Sequence, residues 1–147
     1  MRRLLALCTA ITLAACNSTD DPDVGFVLPP TDANVTGTFF LTSANGFVPP
    51  FDVVSNSQER QTLVRDRVFI QADQTWLDST DYHVTRAGGL EIDTTTASVG
   101  TYNIADQQIN FSMTVNNNPV TFAGAVVADT LSLVNGGRLY RYLRAVP

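Results

Sequence analysis

The chain is short of several residue types on which common chemistries depend. It holds two cysteines, Cys8 and Cys16, and both fall within the first sixteen residues. From Asn17 onward there is no thiol, which excludes disulfide staples, thiolate nucleophiles and cysteine metal sites and leaves burial alone to hold the fold. Histidine occurs once, as His83. One imidazole without thiols cannot build a zinc site, and any Ser–His scheme would have to use that residue. Lysine is absent, and nine arginines face fourteen acids for a net charge of −5. Nucleic-acid binding needs clustered cations to displace counterions, and a polybasic hold on anionic lipid needs the same, so neither fits. No serine sits in a Gly-x-Ser-x-Gly elbow. The longest apolar run, Leu4 to Leu13, is about half what a bilayer core of about 30 Å requires.

That run has a setting of its own. Arg2 and Arg3 precede it and the small residues Ala14 and Ala15 follow, the three-part layout of a secretory signal peptide. Leu13-Ala14-Ala15-Cys16 resembles the lipobox of bacterial lipoproteins. The resemblance implies cleavage before Cys16 and acylation of its sulfur, making it the first residue of a mature, membrane-attached chain. Several acyl chains anchor firmly where a single myristoyl chain binds only marginally. Asn17 stands where an aspartate often retains such lipoproteins at the inner membrane, so the resemblance favours the outer membrane in an organism that has one. The expected division is a signal peptide over residues 1–15, a lipidated cysteine and flexible tether over 16–34, and one domain over 35–147. The tether reading rests on Asp20-Asp21-Pro22-Asp23 and Pro29-Pro30. The aspartates lack the glycine turn and distant glutamate of a calcium loop. Phe26-Val27-Leu28 forms a small apolar island there, suited to packing on the domain or on a partner.

From Val35 onward period two dominates, and no stretch carries a convincing helical repeat. Thr36–Ser43 and Phe51–Ser55 read as strands separated by Asn45-Gly46 and Pro49-Pro50. Gln61–Ala72 sets Val64, Val68 and Ile70 against Arg65 and Arg67. Thr75–Arg86 sets Trp76, Tyr82 and Val84 on one face. Leu90 and Ile92 open the next segment after Gly88-Gly89, and Gly100–Ala105 carries Tyr102 and Ile104. Ile109, Phe111, Met113 and Val115 alternate with Asn110, Ser112 and Thr114. Val120–Val127, Thr130–Val134 and Arg138–Ala145 complete the series. About nine short strands with tight turns predict an all-β, antiparallel up-and-down meander that closes to remove its edges. A two-sheet sandwich needs longer crossovers.

Several segments are similar, in order and spacing, to small bacterial lipocalin-like lipoproteins. They are Gly37-Thr38-Phe39-Phe40-Leu41 with Asn45-Gly46 and Pro49-Pro50, Ala72-Asp73-Gln74-Thr75-Trp76, and Gly100-Thr101-Tyr102-Asn103-Ile104 with Ile109-Asn110-Phe111. Gly124, Asp129-Thr130-Leu131-Ser132-Leu133 and Tyr140-Arg141-Tyr142 follow. The resemblance covers nearly all of the mature domain and implies a small lipocalin-like barrel of about 8–9 strands. Typical lipocalins open with Gly-x-Trp, whose ring closes the barrel floor against an arginine of the last strand. Phe39 occupies that tryptophan position here, and Arg141 or Arg144 would supply the covering guanidinium.

Catalysis finds little support. His83 falls opposite Trp76, Tyr82 and Val84, on the less apolar face. Asp78 and Asp81 have opposite strand parity, so they do not converge as a glycosidase pair. No cofactor is implied, and the chain reads as a non-enzyme. Arg60, Arg65 and Arg67 suit either an anion clamp or, more simply, an outer face paired across strands with aspartates. Binding would live in the inward aromatic and apolar set: Trp76, Tyr82, Tyr102, Phe111 and Met113. An eight-stranded barrel is just wide enough to be filled by side chains or to hold one small ligand. The expectation is therefore a lipid-anchored envelope protein that binds a small apolar or amphiphilic ligand without a covalent bond, a rim arginine or tyrosine orienting its polar end. The alternative is a filled barrel that meets an envelope protein through its outer face. The loop Ala44–Pro50, with Phe47 and Val48, would serve either as that contact or as a lid. A cavity of several hundred Å³ separates the two.

Overall fold

The computed structural model describes residues 28–31 and 34–146. The signal peptide, Cys16 and most of the tether lie outside the described residues. What is described is all-β. Nine strands follow one another: β1 (Gly37–Ala44), β2 (Phe51–Ser55), β3 (Glu59–Ile70), β4 (Thr75–Arg86), β5 (Leu90–Ala105), β6 (Gln108–Val115), β7 (Asn118–Val127), β8 (Thr130–Asn135) and β9 (Arg138–Arg144). The segments read separately at Leu90–Ile92 and Gly100–Ala105 are one strand, because nothing between them breaks the extended backbone.

Every pairing is antiparallel. The sheet runs β1-β9-β8-β7-β6-β5-β4-β3, and β1 returns to pair with β3, closing eight strands into an up-and-down barrel. β2 is the extra strand. It pairs with β3 over Arg60–Leu63, whereas β1 takes the other half of the same edge over Arg67–Ile70. Tight hairpins make the meander possible. Asn116 and Asn117, and likewise Gly136 and Gly137, all have positive φ, as the two-residue turns that match strand twist require.

Parity decides most of what is inside, and β3 shows how a bulge resets it. Val68 and Ile70 are buried as their alternation demands, but Val64 is exposed and Leu63 is buried in its place. The register against β4 shifts between Leu63 and Arg65. An extra residue at Val64 bulges the strand and moves the inward parity from odd, at Leu63, to even, at Asp66, Val68 and Ile70.

The two ends of the barrel differ. One is sealed around Phe39, which is fully buried and carries the Arg144 guanidinium 4.5 Å from its ring centroid. Arg144, not Arg141, is thus the covering cation. It also donates to the carbonyls of Thr36 and Asn34, the latter at 3.1 Å, and pairs with Asp129 at 3.5 Å. Gly37 has φ +144°, and a Cβ there would run into Arg144 Nη1. The segment leading into β1 lies across this end: Leu28 and Val35 are buried, and the Thr31 amide donates to the Gln107 carbonyl at 2.7 Å. The apolar centre of the barrel sits just above, with Ile109, Phe111, Val126 and Leu131 fully buried.

Candidate functional site

Above that centre the barrel is hollow. A cavity of about 570 Å³ opens at the end opposite Phe39, within the range of small-molecule sites. Its base is aromatic. Phe111 on β6 lies directly across from Phe122 on β7, and the rings stack at 5.0 Å. Trp76 meets both edge-on, at 5.8 and 5.4 Å. Such pairs add about 0.5–1.5 kcal/mol each beyond their area, so the base is rigid. The Trp76 indole N–H donates to the Thr101 carbonyl at 3.0 Å. Gly100 leaves room for it, since a Cβ there would lie 2.7 Å from the indole nitrogen.

The residues singled out in the sequence are distributed in two places. Trp76, Tyr82, Phe111 and Met113 line the cavity. Tyr102 is buried beneath it: its ring lies 6.2 Å from Phe111 and its hydroxyl donates to the Gln71 carbonyl at 2.8 Å. Tyr102 therefore supports the base rather than lining the space. Phe122 lines the cavity as well, and its parity with Val120 and Val126 was the available signal.

One wall is polar, and sequence reasoning passed over it. Asp66 on β3 and Asp78 on β4 both face the cavity, joined by Thr80, Tyr82, Tyr140 and Tyr142. Asp66 is only 6% exposed. Tyr142 donates to its Oδ2 at 2.9 Å. Thr80 Oγ1 stands 3.4 Å from both Asp66 Oδ1 and Asp78 Oδ2. Oδ1 of Asp78 is shielded from solvent and has no hydrogen-bond partner among the described residues. Burial foremost, then the hydrogen bond and negative charge of Asp66, push the Asp78 carboxyl up to about 8. Burial, with the nearby Asp66 and Asp78, likewise holds the Tyr142 phenol well above its ordinary value. The signal was present in the alternation: Asp66 shares parity with Val68 and Ile70, and Asp78 with Trp76 and Tyr82.

The other charged candidates lie outside the cavity's interior. Asp81 points to the outer face, where Arg65 binds it at 2.7 Å, Thr95 donates to it at 2.7 Å and Arg67 stands 3.7 Å away. Arg60 and Thr62 hold Asp52 near the mouth at 2.9 and 2.7 Å. His83 Nδ1 meets Asp93 Oδ1 at 2.8 Å on the outer surface. At the mouth stand Arg138, Asn45, Phe47 and Phe51.

Fold and cavity together define the class: an antiparallel up-and-down barrel with a hollow interior open at one end. Beyond that class no particular relative presents itself, since no protein-family model, no curated protein and no solved structure matches the chain.

Proposed function

We propose that this protein is a lipid-anchored envelope protein of lipocalin-like type that binds a small apolar or amphiphilic ligand, noncovalently, inside its barrel. The observation that carries the reading is the cavity of about 570 Å³ floored by Trp76, Phe111 and Phe122. A barrel that served only as a scaffold would gain by filling that space, because close packing is what stabilises interiors. Apolar surface left facing a cavity is instead available to a ligand. The anchor rests on the signal peptide and on the resemblance of Leu13-Ala14-Ala15-Cys16 to a lipobox.

Native mass spectrometry of the protein drawn from its own envelope, beside recombinant protein, tests the reading. A small molecule that leaves on denaturation, and is absent from a Trp76→Ala, Met113→Ala variant, is the expected result. A bare mass from both sources would count against a carrier.

One observation favours the second reading, a module that meets another envelope protein. Phe47 and Val48 in the loop between β1 and β2 are 66% and 67% exposed, and β5 pairs with β6 only from Thr101 onward. Among the described residues, its first eleven, Leu90 to Gly100, pair with β4 alone. A free edge and an apolar loop both lend themselves to protein contact.

A further inference from the structure

The polar wall specifies more than the cavity itself does. Asp66 and Asp78 stand on neighbouring strands, bridged by one hydroxyl that has a single proton to give. No ion pair of the described residues includes either carboxylate. Arg67, next in sequence to Asp66, turns to the outer face and Ser79. Buried carboxylates ordinarily come with a cation or with enough donors to replace one. Here Tyr142 serves Asp66, Thr80 is shared, and Oδ1 of Asp78, a buried atom of a cavity-lining side chain, has no hydrogen-bond partner among the described residues.

We propose that the cavity selects an organic ammonium ion carrying an apolar or aromatic body, its N–H groups donating to Asp66 and Asp78 and its body lying on Trp76, Phe111 and Phe122. The inference rests on the carrier reading above and names the ligand class of the same site. The donor arithmetic fits, since a primary ammonium brings three N–H groups and no acceptor. The walls fit too, because a cation is attracted to the faces of tryptophan, tyrosine and phenylalanine. An anionic headgroup is opposed by the negative charge of the aspartate pair. A bare metal ion is poorly matched: calcium takes six to eight oxygens, and no group of three or more acidic or histidine residues among the described residues could hold one.

Without the ammonium a proton would take its place on the pair, and binding would exchange one for the other, releasing the proton to water. The groups that face the pair are Tyr82 and Thr80 from β4 and Tyr140 and Tyr142 from β9, with Asp52 of β2 and Arg138 of β9 at the mouth. Burial raises Tyr82 and Tyr142 above the ordinary phenol range. Affinity for an ammonium therefore rises between pH 6 and about 8 as the Asp78 proton becomes easier to displace.

Trp76 is the only tryptophan of the chain and forms part of the cavity base, so its fluorescence reports occupancy. The full chain in nonionic detergent is titrated with phenethylammonium, 2-phenylethanol and phenylacetate, three probes of one shape and different charge. The ammonium should bind at least about tenfold tighter than the alcohol, the gain expected of charge-assisted hydrogen bonds, and phenylacetate weakest. Asp78→Asn should remove most of that advantage, lowering ammonium affinity far more than alcohol affinity. Asp66→Asn serves as the second variant, with far-ultraviolet circular dichroism to check the fold of each. Equal binding of alcohol and ammonium overturns the ammonium inference and leaves the carrier reading standing. Failure of all three probes overturns both. An ammonium preference untouched by both substitutions places the cation elsewhere and overturns the inference.

Discussion

At the scale of the residue, the informative side chain is Asp78. Unfolded, its carboxyl titrates at 3.8; in the barrel it is pushed up to about 8. Between those values the folded chain keeps a proton that the unfolded chain has lost, so stability falls as pH rises through that window. The contribution is complete below about 4 and gone above about 8. Asp52, Asp73 and Asp81 act in the opposite sense, since hydrogen bonds from Thr62, Thr75 and Thr95, respectively, head the causes that lower them. Their contributions are lost only as pH falls below the ordinary carboxylate range, so the two effects separate. A melting temperature that declines from pH 5 to pH 8 in the native chain, and is flat over that range in Asp78→Asn, is the expected outcome of thermal denaturation by circular dichroism. A parallel decline in the variant would mean that another group titrates.

The strand is the scale at which sequence and structure can be compared most directly. Period two placed every hairpin from β3 to β9, because each strand has one face on the interior and most of the positive-φ turn positions carry asparagine, aspartate or glycine, with Gln74, Gln107 and Ala128 the departures. The bulge in β3 could not be read the same way. Leu63, Val64 and the residues around them are compatible with either register, and only the pairing with β4 decides that Val64 is the extra residue. The pairing of Asp66 with Asp78, a residue weighed from the sequence only against Asp81, was missed for a different reason. Alternation had already set them inside, but charge ordinarily argues for the surface, and only the cavity makes their burial tolerable. The bulge yields a sharp contrast. Val64→Asp, on an exposed position, should change stability by less than about 0.5 kcal/mol. Leu63→Ala, at 5% exposure, should cost about 2–5 kcal/mol. Urea denaturation of the pair measures both, and a costly Val64→Asp would place the bulge elsewhere.

For the whole molecule, the resemblance to lipoproteins makes its own prediction about Cys16. Cys16→Ala should move the protein from the membrane fraction to the soluble fraction of its host and abolish incorporation of labelled palmitate, while the barrel, whose strands begin at Gly37, keeps its fold. Retention in the membrane by the variant would refute anchoring through that sulfur.

The sealed end gives this arrangement a direction. The chain reaches β1 across the pole closed by Phe39 and Arg144, with Thr31 and Asn34 bonded to it, while the cavity opens at the far pole. On the lipoprotein reading, anchor and mouth would be attached to opposite ends of the barrel. With acyl chains on Cys16, an upright molecule would turn its stopper toward its own bilayer and its opening toward the water beyond. Cargo would then travel by way of the aqueous space or by hand-over from a facing surface, making the protein a receiver for the compartment in front of it and not an extractor of the membrane on which it stands.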